Sequence, residues 1–139
     1  MSVRSGLAAL SAVLILGACA SAAPSEEIDL FSGGRASAAD VKKSAAKASS
    51  EPLGSARNPV RVHMPAGQQA YLRRLRCSDG SRPAFVRQGN VGPGIYGSIV
   101  DVYSVTCATG TPKESAIYMD MYHPDHFETG APPGFTIAP

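Results

Sequence analysis

The chain has 139 residues with a formal net charge of +2, no tryptophan, 6% aromatic residues, 14 glycines and 11 prolines. Length allows one domain of ordinary size, about 100–150 residues, and excludes multi-domain enzymes, large barrels and solenoids. An aromatic-poor core of this size buries little, so the composition calls for a covalent staple, a tether, or both.

Arg4 is the only charged residue before Glu26, and an apolar stretch runs from Leu7 to Ala18. At about 12 residues it falls short of the roughly 20 that a membrane-spanning helix needs. Its length and flanks are those of a secretory signal. It ends in Leu16-Gly17-Ala18-Cys19: an aliphatic residue, two small residues, then cysteine. This resembles the lipobox of bacterial lipoproteins, and the likeness covers the first 19 residues only. The resemblance implies that residues 1–18 are removed and that Cys19 carries the lipid. By the same resemblance Ala20, rather than aspartate, implies sorting to the outer membrane, facing the periplasm, in a Gram-negative host. Two or three acyl chains give stable anchoring, where one gives marginal binding. A plain secretory cleavage after Ala20-Ser21-Ala22 is the competing reading.

From residue 19 to 56 the chain is mostly Ala, Ser and Gly with scattered charges. Ala38 to Ala48 has the charge order of a transient helix, with Asp40 early and Lys42, Lys43 and Lys47 late. Alanine side chains offer little to bind it to a core. The segment therefore reads as a disordered linker that holds a domain off the membrane.

The predicted folded unit is 57–139, a small, mainly β domain (β-rich α+β is the variant) built on an antiparallel sheet. Val60 and Val62 alternate with Arg61 and His63 as a first short strand. Gln68 to Leu75 suits a helical turn that feeds a strand through Leu75 and Cys77. Pro83 to Arg87 alternates again. Ile99, Asp101, Tyr103, Val105 and Cys107 share one face of the clearest strand, with Val100 and Val102 on the other. Ile117, Met119 and Met121 oppose Tyr118, Asp120 and Tyr122 in the next, and Gly110-Thr111-Pro112 between them predicts a hairpin. The Pro132-Pro133-Gly134 tail cannot be a central strand, but Phe135 and Ile137 can cap the core.

With Cys19 assigned to lipid, Cys77 and Cys107 remain, and in an oxidising envelope such a pair is expected to be bonded. Closing a loop of about 30 residues predicts roughly 3.7 kcal/mol of stabilisation. The spacing is far from the CxxC of redox chemistry.

Three features bear on function. The Gly89–Gly97 stretch is the most glycine-rich, but Pro93 removes a donor and a strand follows, so it reads as an irregular turn rather than a phosphate cradle. His123 and His126 with Asp120 supply the donor types of a divalent metal site, and His63 completes a three-histidine set if the first and last strands are neighbours. Charge is uneven: Arg57, Arg61, Arg73, Arg74, Arg76, Arg82 and Arg87 face only Asp79 between 57 and 87, whereas between 88 and 139 Lys113 faces the five carboxylates Asp101, Glu114, Asp120, Asp125 and Glu128. Either Arg61, Arg73, Arg74 and Arg76 form an anion-binding surface, or a basic half pairs with an acidic half across one sheet.

Nucleic acid is an unsuitable partner, because the compartment is wrong and no stacking aromatics interleave the arginines. No motif calls for a cofactor, and no serine lies in a G-x-S-x-G elbow. Two functions remain. One is a non-catalytic envelope binding or structural module, with an envelope polymer or protein as partner. The other is a small periplasmic hydrolase or metal-binding protein built on His123, His126 and Asp120.

Overall fold

A computed structural model describes residues 36–139. The signal peptide 1–18, lipidation at Cys19 and the first part of the linker lie outside the described residues. The elements are α1 (Ala38–Ala48), β1 (Val60–Arg61), α2 (Met64–Arg74), β2 (Leu75–Arg76), β3 (Ala84–Pro93), β4 (Ile99–Thr106), β5 (Glu114–Asp120) and β6 (Thr136–Ile137).

The disordered linker expected up to residue 56 is corrected over its described part. Ser37 caps α1 by accepting the Asp40 N–H at 3.2 Å, and Asp40 and Lys47 stand at the ends that suit the helix dipole. Ala48 at its last turn is buried. The chain then folds back through backbone bonds: Gly54 N–H donates to Asn58 at 2.8 Å, and the Asn58 amide donates to the Glu51 carbonyl at 2.8 Å. The Gly54 carbonyl accepts from Tyr118 N–H at 2.8 Å, which ties the turn to β5. Gly54 has φ +82, and an added Cβ would meet Pro132 Cγ at 3.2 Å. Hydrogen bonds order this segment together with the burial of Ala48 and, in part, of Leu53, and two isolated apolar residues set no hydrophobic period that could announce it.

The main sheet has the order β1-β5-β4-β3. β5, β4 and β3 pair antiparallel as expected, but β1 joins β5 in parallel, which makes the sheet mixed. β2 and β6 form a separate two-stranded antiparallel ladder.

One face of the main sheet and the apolar stripe of α2 enclose the core. Gln68, Tyr71, Leu72 and Leu75 follow the i, i+3, i+4, i+7 helical spacing, and all four are buried. They meet Val60, Tyr103, Val105, Ile117, Met119 and Phe135. The alternation in β4 appears as predicted for Asp101, Tyr103, Val105 and Cys107, which are all buried, whereas Ile99 at the strand's start is exposed. Cys77 and Cys107 form the disulfide, with Cα atoms 6.0 Å apart. Phe135 caps the core from the tail.

The glycine-rich stretch is not one irregular turn. β3 continues through Pro93, with register shifts between Arg87 and Gly89 and between Asn90 and Pro93. An edge strand tolerates glycine and proline at such bulges. The turn itself is Gly94–Ser98, closed by Gly94 N–H to the Ser98 carbonyl at 2.9 Å.

Candidate functional site

β5 alternates, sending Ile117 and Met119 to the core and Asp120 to the opposite face. Asp120 is fully buried, with Val100 of β4 and Arg61 of β1 as its register partners. Burial pushes its carboxyl toward a higher pKa. The His123 imidazole, the Ser98 hydroxyl and the Tyr122 N–H outweigh that and hold it below the ordinary carboxylate value. Ser98 Oγ donates to Asp120 Oδ2 at 2.7 Å, and Tyr122 N–H donates to Oδ1 at 3.1 Å.

His123 is 7% exposed, and its Nε2 lies 3.4 Å from the same Asp120 Oδ2. That is close enough for charge pairing and too long for a good hydrogen bond. Among the described residues His123 Nε2 has no hydrogen-bond partner. The Tyr96 ring stands edge-on to the imidazole, with centroids 4.9 Å apart, and the Arg61 guanidinium lies over Tyr96 at 5.4 Å. Arg61, Tyr96, Ser98 and His123 line a cavity of about 350 Å³, which Ala38 and Val41 of α1 also wall.

This order of groups decides the chemistry. A serine relay needs the imidazole between hydroxyl and carboxylate, so that the ring takes the serine proton. Here the carboxylate stands in the middle, and the Ser98 hydroxyl donates its hydrogen bond to Asp120, not to the imidazole. The cluster is therefore not a Ser-His-Asp relay: the Ser98 hydroxyl and the His123 ring both meet the one Asp120 carboxylate.

The metal set expected from His123, His126 and Asp120 is divided. Asp120 and His123 meet, but His126 Nε2 turns to Glu128 Oε2 at 3.1 Å. His63 does neighbour the strand's end, through a bridge to Tyr122, yet its side chain is exposed at the start of α2. Among the described residues no three His, Cys, Asp or Glu side chains gather as a metal-binding group. Pro124 bends the chain between the two histidines, which sends His126 away from Asp120.

The arginines of the expected anion surface are engaged in different ways. Arg61 enters the cavity, Arg73 is exposed, and Arg76 spends Nη1 on the carbonyls of Arg73 and Leu75. Arg74 donates to the carbonyls of Glu128 at 3.0 Å and Ala138 at 3.3 Å. Pairing of basic and acidic residues across the sheet is realised at Arg87 and Asp101, 2.6 Å apart. Tyr96 and Ser98 escaped sequence reasoning. The only available signal was one tyrosine among the glycines of 89–97.

Comparison with protein-family models, with curated proteins and with solved structures finds no match to this chain.

Proposed function

We propose that this is a lipid-anchored protein of the bacterial cell envelope, attached through Cys19, whose folded domain binds a small ligand carrying a carboxylate or phosphate without transforming it. One observation carries the reading. The Arg61 guanidinium lies over the Tyr96 ring at 5.4 Å, a cation–π contact that does not use up its N–H donors. Among the described residues no acceptor takes them. An arginine whose donors find no acceptor among the described residues, on the wall of a cavity beside a buried imidazole that lacks a hydrogen bond there, suits an oxyanion.

The test is an NMR titration of the protein with acetate and with inorganic phosphate. Saturable shifts confined to Arg61, Tyr96, Ser98 and His123, abolished by Arg61→Gln, are expected. Shifts that survive Arg61→Gln, or none up to high concentration, would overturn the proposal. The anchor has its own test: Cys19→Ser should remove the acyl mass and release the protein from membranes. Retention of both would defeat the lipoprotein assignment.

A further inference from the structure

His123 is fixed from several sides. Its N–H donates to the Val62 carbonyl at 3.1 Å, and its own carbonyl accepts from the His126 N–H at 3.2 Å. One tyrosine ring serves both it and the arginine: the imidazole stands 4.9 Å from the centre of Tyr96, and the Arg61 guanidinium 5.4 Å. Both side chains line the same cavity.

The neighbours of the ring decide which nitrogen holds its proton. Nε2 lies 3.4 Å from Asp120 Oδ2. Burial pushes the Asp120 carboxyl up, but the His123 imidazole, the Ser98 hydroxyl and the Tyr122 N–H hold it below the ordinary value, so it is ionised at neutral pH. A ring lone pair aimed at a carboxylate is repelled, so Nε2 carries the proton and Nδ1 is the acceptor. Of the two nitrogens only Nε2 is sealed in without a partner. No described residue bonds to Nδ1, which leaves its lone pair toward the cavity that His123 lines.

An oxyanion seated at Arg61 therefore meets a lone pair, with buried Asp120 behind it and Asp125 at the wall. The other groups around the ring do not compensate. Ala36 and, from α1, Ala38 and Val41 bring no charge. Tyr96, raised by burial, stays neutral. His126 is turned to Glu128 at 3.1 Å, and His63 is exposed at the start of α2. We propose that His123 takes a proton from solvent onto Nδ1 as the anion binds, so that an imidazolium bridges ligand and Asp120 and makes anion uptake dependent on pH. This rests on the oxyanion reading of the Arg61 cavity and adds its regulation. By linkage, anion and proton raise each other's affinity by the same factor. Anion affinity is complete below the titration midpoint of His123 in the free protein. It falls by up to about tenfold per pH unit above that midpoint and levels off beyond the midpoint of the complex.

The experiment follows the His123 ring nitrogens of the full-length chain by NMR between about pH 6 and pH 9, with and without acetate, whose own charge is constant there. Saturating acetate should raise the proton affinity of His123 about tenfold, and the acetate Kd should rise by the same factor from the acid to the alkaline end. His123→Gln should abolish the pH dependence of acetate binding, and His126→Gln should leave it intact. The first arm needs no variant, so it decides the matter even if His123→Gln fails to fold. If acetate binds through Arg61 and the His123 midpoint does not move, proton coupling falls while the oxyanion receptor stands. If the pH dependence survives His123→Gln or vanishes in His126→Gln, another group carries it and the assignment is wrong. If acetate does not bind even at the acid end, both readings fall together.

Discussion

Replacing Gln68 with leucine tests how the core holds the buried carboxylate of Asp101. Gln68 is 1% exposed on the core face of α2. Its Nε2 donates to Asp101 Oδ2 at 3.0 Å, and its Oε1 accepts from the Tyr103 hydroxyl at 3.0 Å. Arg87 donates to the other carboxylate oxygen at 2.6 Å. Gln68→Leu is close in size, so it makes little cavity, but it strands two buried partners. A buried donor or acceptor left without a partner costs about 1–3 kcal/mol, at the upper end when the group is charged. The extra apolar surface of leucine offsets part of this. The expected net loss is about 2–4 kcal/mol, a large fraction of the stability of a small domain.

Urea unfolding with the disulfide intact measures the loss, and a double-mutant cycle identifies its source. Tyr103→Phe removes the stranded hydroxyl, so Gln68→Leu should cost less in that background, by about 1 kcal/mol or more. A pH series adds an independent check. Burial pushes the Asp101 carboxyl up, but the Arg87 and Gln68 hydrogen bonds outweigh it and hold the pKa below its ordinary value. A depressed carboxylate contributes stability that is complete above its unfolded pKa, about 3.9, and is lost as pH falls through the folded one. The penalty of Gln68→Leu should therefore shrink in acid. A loss under about 0.5 kcal/mol at neutral pH, or a cycle additive within about 0.5 kcal/mol, would show that the network is not coupled in this way.

Gly110→Ala places a Cβ 2.7 Å from Asp79 Oδ1 and 2.9 Å from Cys77 Cβ, so thermal unfolding should report a loss of about 1–3 kcal/mol. Gly80→Ala, with φ +79 and open space around it, should cost only about 1 kcal/mol from backbone strain, and equal losses at the two sites would discredit the packing argument. Replacing Cys77 and Cys107 together by alanine should lower stability by about 3–4 kcal/mol in denaturant; an unchanged midpoint would mean that the closed loop contributes nothing. Hydrogen bonds from the Ser81 and Thr109 hydroxyls and the Ser81 N–H lower the Asp79 carboxyl to about 2. Its contribution to stability is thus complete above about pH 4 and lost toward pH 2, and an NMR titration midpoint near 4 would refute it.

Strand periodicity was legible wherever a face is buried over several residues. The alternation of Asp101, Tyr103, Val105 and Cys107 marked β4, and Ile117 and Met119 marked β5, because period two leaves one face in the core. α2 was half legible. Tyr71, Leu72 and Leu75 suggested a helical face, but the residue completing that stripe is Gln68, whose polarity hides its position. It occupies a core site because Asp101 and Tyr103 satisfy both ends of its amide. Sequence could not show those partners, since they lie more than 30 residues away. The Gly89–Gly97 stretch misled for the opposite reason: its glycines and proline read as a turn, while an edge position let them continue the ladder.

The site depended on a fact of another kind. Asp120 and Arg61 are each the polar alternate of an apolar pair, Met119 and Val60. Read singly, each is the solvent face of a strand, and a charge on a solvent face needs no explanation. Parallel pairing of β1 with β5 puts Val60 beside Met119 and, one residue on, Arg61 beside Asp120. The same register that joins two buried side chains in the core therefore joins a cation and a carboxylate on the far face. Yet the two do not neutralise each other, because Ser98 and Tyr122 supply hydrogen bonds to Asp120, with His123 beside it, and Tyr96 takes the face of Arg61. Had Arg61 simply paired with its neighbour, the cavity would hold a closed ion pair. The tyrosine and serine of the Gly94–Ser98 turn thus hold cation and carboxylate apart, which is the arrangement the proposed anion site rests on.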